Sequence, residues 1–387
     1  MGGTGGGLVY NVEELRIVAS RGISASIVNQ VLIEESVLGW EELELEVVRD
    51  AKNHMITVCF IENVDAMGVH TGDSFCTAPM LTISTELQQR LQKHAYDIVE
   101  AIEVIGGTNV QFAHDPVTGR IVVIEINPRT SRSSALASKA TGFPIAFVSA
   151  LLAGGLTLDE LPYWKEGTLD KYYPSGDYVV VKFARWAFEK FEGLEDKLGT
   201  QMHAVGEVMS IGKTYKESLQ KAIRSLETGR YGLGFAKDFN SRSLDELMTL
   251  LKHPSSERQF ILYEALRKGA DIEELYSKTH IKPWFLGQMK ELVEEEEEIL
   301  SHKGGHLPNE LLARAKKNGF ADKYLSMLLG IPEKEIRKRR ISLGIKEAWE
   351  AVPVSGVNDA AYYYSTYNSE VKVPVSNRKK IMVLGGG

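Results

Sequence analysis

The stretch NVQFAHDPVTGRIVVIEINPRTSRSSALASKATG, Asn109 to Gly142, decides how the rest of this chain is read. Two runs of strand-forming residues flank the turn-forming segment Asp115–Gly119, which reads as a hairpin. Glu125 and Asn127 are two apart in the second run, so both side chains leave the same face of the sheet. The hairpin sets Gln111 opposite or diagonal to Glu125, within reach of one ion. One carboxylate and two amide carbonyls are hard oxygen donors, which suit Mg²⁺ with part of its hydration shell and substrate phosphates. Without imidazole or thiolate partners, zinc is disfavoured. Arg129 and Arg132 follow at once, and Ser133 and Ser134 open a helix that Gly142 and Pro144 end. Guanidinium forks and a helix N-terminus both attract phosphate oxygens. Taken singly, Glu-x-Asn on a strand and arginines after it are more often a solvated face. Together they predict a nucleotide-polyphosphate site.

Upstream, Val31–Ser36 reads as a strand, Gly39 as a turn, and EELELEVVRD (Glu41–Asp50) as a second strand alternating Leu43, Leu45, Val47 with Glu42, Glu44, Glu46. Glu35 and Glu42 flank that turn. A carboxylate there can accept from ribose hydroxyls, with backbone near Val37 pairing an adenine edge; the plainer alternative is a solvent-facing glutamate. Met55–Val64 is a third strand. In the loop Asp65–Ser74, Gly68 and Gly72 surround His70 and let backbone approach a ligand, with His70 as polar contact or acid/base. A lone loop histidine is more often merely solvated. Thr85–Ile105 has the periodicity of an amphipathic helix, and Asp177–Phe183 and Val205–Gly212 add strands. Beyond about residue 236 the pattern turns helical over Leu244–Leu251, Glu257–Lys268, Trp284–Leu300 and Glu310–Lys317. The run Glu294–Glu298 reads as the wet face of a helix. Residues 353–378 read as an irregular connection, and Ile381–Leu384 as a strand entering a glycine turn.

A chain of 387 residues holds two or three domains. A net charge of −7 argues against a general nucleic-acid or membrane-surface binder. Two cysteines, Cys59 and Cys76, leave no disulfide framework or zinc cluster, and no apolar run has membrane-spanning length. A reducing, cytoplasmic setting is expected.

MGGTGGG, IEESVLGWEELELEVVRD, MGVHTGDS, GGTNVQFA, IEINPRTSRSSALASKATGFP and VGEVMSIGKTYKESLQKA together resemble the large chain of carbamoyl-phosphate synthetase. The likeness covers essentially the whole sequence. It implies an α+β fold: a partial ATP-grasp domain, an all-helical domain and the first strand of a further α/β domain. The implied divisions are 1–65 (part of the lid, or small subdomain), 66–235 (large subdomain of the carboxyphosphate half), 236–375 (helical oligomerisation domain) and 376–387 (start of the second half). Gly2 and Gly3 would lie in a loop covering ATP. Glu35, Val37 and Glu42 would surround adenine and ribose, and Gly68, Val69 and His70 would lie near the nucleotide. Gln111, Glu125 and Asn127 would hold Mg²⁺ or Mn²⁺, and Arg129, with Arg132 beside it, would contact phosphate or carboxyphosphate. The implied reaction uses ATP and bicarbonate, then ammonia from a glutaminase small subunit, in pyrimidine or arginine biosynthesis. A homo-oligomer formed through the helical domain is expected. Both glycine-rich ends read as cuts in a longer chain, so the chain alone is expected to be inactive.

Two other readings compete. Another ATP-grasp carboxylate–amine ligase would share the metal ligands but lack the long helical segment. The segment Ala321–Ile345, with Arg337, Lys338, Arg339 and Arg340 after Gly330–Pro332, mimics a DNA-reading helix-turn-helix, against which the acidic total charge counts.

Overall fold

A computed structural model describes all residues except 1–4, 164, 166, 191–192, 236, 356–359, 371–374 and 384–387. Helix α1 (Val12–Ala25) comes first, followed by strands β1 (Glu41–Arg49), β2 (Met55–Asn63) and β3 (Cys76–Ala78), then helix α2 (Thr85–Ala101). The hairpin β4 (Gly106–His114) and β5 (Ile121–Asn127) leads into α3 (Arg132–Thr141) and α4 (Ile145–Ala153). Strands β6 (Val179–Arg185) and β7 (Gly206–Gly212) precede α5 (Tyr215–Ser225). Helices α6 (Leu244–Leu250), α7 (Arg258–Arg267), α8 (Ile272–Thr279) and α9 (Pro283–Leu300) begin the helical region. It continues through α10 (Asn309–Lys317), α11 (Asp322–Leu329) and α12 (Glu333–Ser342), and the strands β8 (Ala348–Pro353) and β9 (Ala361–Thr366) follow.

Strands β1 to β7 form one seven-stranded sheet in the order β5-β4-β1-β2-β3-β6-β7, antiparallel at every pairing. The expected division at residue 65 falls inside this sheet, since β2 and β3 on either side of it are hydrogen-bonded neighbours. On one face, Leu43, Leu45 and Val47 of β1 pack with Val110 and Phe112 of β4 under Leu87, Leu91, Ala95 and Val99 of α2. Those helix positions recur every four residues, and Ser84 caps the helix by accepting from the Leu87 N–H. Each of the large apolar side chains gains roughly 2 kcal/mol by leaving water. The helix stops at Ala101 rather than Ile105, because Glu103 takes the left-handed conformation (φ 54°). The other face is covered by α3 and α4, with Leu136, Ala137, Ala140, Ile145 and Val148 against Val48, Ile56, Val58 and Ile61.

Four sequence expectations need correction. Val31–Ser36 forms no strand and stays exposed; among the described residues no neighbouring strand satisfies its backbone. Its neighbour α1 buries no side chain and rests on local bonds: Asn11 accepts from the Glu14 N–H, and Glu14 accepts from the Tyr10 N–H and the Asn11 amide. The YYYSTY region is not irregular, because Tyr362, Tyr363 and Tyr364 lie on β9, paired with β8. Residues 381–383 form no strand, and Leu384 lies outside the described residues. Finally, the run Glu294–Glu298 is only partly wet. Glu296 is buried and accepts from the Tyr263 and Tyr324 hydroxyls at 2.7 and 2.8 Å. Glu295 is buried too, accepting from Arg314 and Asn318.

The helical region and the sheet share one core. Phe75, Val181, Phe183, Tyr215 and Leu219 pack in the same cluster as Leu262, Tyr263, Phe285 and Leu286. The Tyr215 and Phe285 rings lie 5.3 Å apart, so the expected division at 236 is crossed by continuous packing. Of the arginines in the helix-turn-helix look-alike, Arg340 is buried and donates to Asp322 at 2.7 Å, so it is not presented to a DNA groove. Among the described residues no single helix is long and apolar enough to cross a membrane.

Candidate functional site

Strands β1, β4 and β5 bring their polar positions into two rows across the sheet. Glu44 pairs with Gln111, which pairs with Glu125; Glu46 pairs with Asn109, which pairs with Asn127. Neighbours at matched register share a face, so these six side chains project to the same side. The hairpin therefore places Gln111 directly opposite Glu125, as the spacing predicts. A register shift follows at once between Gln111 and Phe112, re-aiming the outer half of the hairpin.

Glu125 is exposed, Asn127 half-buried and Gln111 buried. The Asn127 amide donates to Glu125 Oε1 at 3.0 Å, and Arg129 Nη2 donates to Asn127 Oδ1 at 3.2 Å. Gln111 donates its Nε2 to Asn109 Oδ1 at 3.1 Å, so its own carbonyl oxygen is the end left for a cation. These hard oxygens on one face, with an arginine at the rim, fit a divalent cation of the Mg²⁺ class.

Beside them on the same face lies a buried row that the alternation of EELELEV sets to one side of the strand without showing what covers it. Glu42, Glu44 and Glu46 are all almost fully buried. Burial of carboxylates is costly unless they are hydrogen-bonded, and here donors converge on two of them. Glu44 accepts from the Asn63 amide (2.9 Å), the Asn109 amide (3.0 Å) and the Ser133 hydroxyl (3.1 Å). Glu46 accepts from the same Asn109 amide (2.9 Å) and from the Ser134 hydroxyl (2.9 Å). Among the described residues Glu42 has only the Ser74 hydroxyl, at 3.4 Å. The two serines expected at a phosphate thus hold internal carboxylates instead, and Ser131 caps α3 by accepting from the Ser134 N–H. Asn63 Oδ1 remains a buried acceptor without a partner on this face.

Burial pushes the Glu46 carboxyl up to about 8, against the pull of its Ser134 and Asn109 bonds. Burial likewise raises Glu42 well above the usual range, with Glu44 adding to it. Lys182 on β6 is buried on the same side and donates to the Thr71 carbonyl at 2.9 Å. Burial alone would lower its ammonium, but the surrounding Cys76, Glu44, Glu207 and Glu42 groups hold it above its ordinary value. Among these, Glu44 and Glu46 are signalled in the sequence by the polar alternation along β1, whereas Asn63, Asn109 and Lys182 join them from β2, β4 and β6 without a local signal.

A pH prediction follows. The unfolded chain gives up the Glu46 proton near the ordinary 4.5, whereas the folded chain keeps it to about 8. Folding therefore binds a proton across that window, and this group's contribution falls as pH rises from about 5 to 8. Glu46→Gln is expected to match wild type near pH 5 and exceed it by about 3–4 kcal/mol at pH 8 in urea denaturation. Parallel pH profiles for the two proteins would contradict it.

The loop Asp65–Ser74 borders the same face. Gly68 has φ 123°, a backbone conformation that L side chains rarely adopt, which favours glycine there. Val69 is buried. His70 accepts from the Gly72 N–H at its Nδ1 (2.9 Å), which leaves Nε2 to carry the proton of the neutral ring. Burial lowers its pKa, while Asp73, Glu125 and Glu44 lie near enough to oppose that. The lowered pKa favours the neutral ring, with Nε2–H as its donor.

Other expected residues do not gather here in this structure. Glu35 is exposed and forks with Arg120 at 3.0 and 2.9 Å. That pairing, at the β4–β5 turn, separates its partners from those of Glu42, and it holds the Glu35 carboxyl below the usual range. The Val37 carbonyl accepts from the Trp40 N–H within the turn. Arg132 is exposed and reaches Met202 Sδ at 3.6 Å. Gly2 and Gly3 lie outside the described residues.

Residues 1–161 match the family described as carbamoyl-phosphate synthase L chain, ATP binding domain, and residues 207–344 match carbamoyl-phosphate synthetase large chain, oligomerisation domain. Over its whole length the chain is 48% identical to the carbamoyl phosphate synthase large chains of Archaeoglobus fulgidus and Xylella fastidiosa. It is 46% identical to the arginine-specific chloroplastic large chain of Arabidopsis thaliana. It spans 37%, 37% and 33% of those proteins, about a third of their length.

Proposed function

We propose that this chain, which belongs to the carbamoyl-phosphate synthetase large-chain family, supplies much of the ATP site that phosphorylates bicarbonate in a larger enzyme. Gln111, Glu125 and Asn127 would hold Mg²⁺ or Mn²⁺, and the ion would offset negative charge on the phosphates. Arg129, once released from Asn127, would contact a phosphate or carboxyphosphate oxygen, with Arg132 as a less direct contact. Gly68, Val69 and His70 would flank the nucleotide, and Glu42 would lie toward its sugar. Glu35, Val37, Gly2 and Gly3 would join them when the covering segment closes and excludes water from a hydrolysable intermediate. The observation that supports this reading is the paired register Glu44–Gln111–Glu125, which sets Gln111 and Glu125 on the same face as a buried acidic row.

In the whole enzyme, ammonia from a glutaminase small subunit would convert carboxyphosphate to carbamate, and a second ATP-dependent step would give carbamoyl phosphate. The helical region, 236–375, would make subunit contacts, and the free, buried Cys59 and Cys76 suit a reducing cytoplasm. Equilibrium dialysis with ATP tests the site: binding is expected with Mg²⁺ or Mn²⁺ and lost in chelator. Binding indifferent to chelator would contradict it. Because the chain spans about a third of its relatives, it is expected to form no carbamoyl phosphate alone. Bicarbonate-dependent ATP hydrolysis well above background would overturn that.

A further inference from the structure

The helical region does more than share a core with the sheet: it grips the loop that carries Gly68, Val69 and His70. Arg258, the first residue of α7, is 5% exposed. Its Nε donates to Asp65 Oδ1 at 2.7 Å and its Nη2 to Asp65 Oδ2 at 2.5 Å, a bidentate fork. The same Nη2 lies 3.3 Å from the Asp73 carbonyl, while Nη1 donates to the Ser255 carbonyl at 2.8 Å. One guanidinium thus ties both ends of the loop 65–73 to α7, across 193 residues of sequence at Asp65.

Both anchor residues are held again from the sheet. Asp65 Oδ2 accepts from the Phe75 N–H at 2.8 Å. Asp73 accepts from the Trp186 indole (3.0 Å) and from the His203 and Ala204 N–H groups (2.9 and 2.6 Å). A second contact lies nearby. The His280 ring at the α8–α9 turn sits 3.1 Å from where a Cβ on Gly39 would be, and Gly39 and Trp40 exchange backbone bonds with Met67 of the loop. A buried ion pair is a weak stability device, because two apolar side chains of similar volume would do as well. What a bidentate fork adds is orientation.

We propose that Arg258 is a positioning residue for the nucleotide loop: it fixes the separation of Asp65 and Asp73 and thereby presents Gly68, Val69 and His70 to the ligand. Nucleotide affinity then depends on how the helical region is seated. The inference rests on the nucleotide reading above and adds the helical region to that site.

The test compares wild type, Arg258→Lys and Arg258→Met in the full-length chain, reading amide exchange without nucleotide and the dissociation constant for Mn²⁺-ATP. Arg258→Met is expected to speed exchange of residues 66–74 about tenfold, leave α10 to α12 unchanged, and raise the dissociation constant about tenfold. Arg258→Lys keeps the charge without the fork and is expected to fall between, about threefold in each. Loss of melting temperature with exchange raised evenly and affinity within twofold of wild type would overturn the proposal. Should Arg258→Met fail to fold, Arg258→Lys decides: wild-type loop exchange and affinity would overturn it. Absence of ATP binding by wild type would remove the nucleotide reading instead, and loop-selective exchange would still show whether Arg258 sets the loop.

Discussion

Glu125→Ala is expected to weaken divalent-dependent ATP binding by roughly a hundredfold, about 2.7 kcal/mol, while leaving the melting temperature almost unchanged. Glu125 is exposed, and among the described residues its one hydrogen bond is the 3.0 Å contact from Asn127, so its removal strands no buried group. The ligand, by contrast, loses the only carboxylate in the donor set of Gln111, Glu125 and Asn127. Isothermal titration with Mn²⁺-ATP checks the affinity and calorimetry the fold. A dissociation constant within threefold of wild type would contradict the assignment.

The largest stability loss is expected at Gly142→Ala. Gly142 ends α3 with φ 72°, a conformation that costs a non-glycine residue about 1 kcal/mol. A Cβ there would fall 2.0 Å from the Pro353 carbonyl oxygen and 3.3 Å from Val352, so β8 must move as well. That movement breaks the 2.8 Å bond from the Ser355 N–H to the Gly142 carbonyl and unseats Val352, Tyr362 and Tyr364 from the core. The expected loss is about 3–4 kcal/mol in urea denaturation, with faster proteolysis near residue 355. Gly119→Ala is the control: φ is 71° there, but nothing lies within 4 Å, so only about 1 kcal/mol should be lost. Equal losses at the two positions would sink this account of the β8–β9 attachment.

The β4–β5 hairpin and its pairing of Gln111 with Glu125 were legible in sequence because both depend on local rules, the two-residue period of a strand and a turn of defined composition. What was not legible depended on partners distant in sequence. The alternation along β1 marked Glu44 and Glu46 as sharing a face, but only α3 arriving over that face turns them into buried acceptors for Ser133 and Ser134. The same serines looked free for phosphate when read beside Arg129 and Arg132. Glu295 and Glu296 looked wet within a charge run, yet donors from α7, α10 and α11 reach them. Tyr362–Tyr364 looked irregular because its strand partner, β8, has no strong strand signal of its own. Conversely, Val31–Ser36 has β-forming residues but pairs with no strand among the described residues. Helix α1 had a readable start in the Asn11–Glu14 capping pair, whose reciprocal bonds are present.

The central claim is that three oxygen-bearing side chains on β4 and β5 hold one divalent cation against a nucleotide. Anomalous diffraction from a crystal grown with Mn²⁺ and a non-hydrolysable ATP analogue tests it most directly. The account predicts one strong Mn²⁺ peak within about 2.2 Å of Gln111 Oε1 and a Glu125 carboxylate oxygen, with Asn127 and analogue phosphate oxygens completing its shell. A bound analogue whose Mn²⁺ lies away from Gln111 and Glu125 would contradict it.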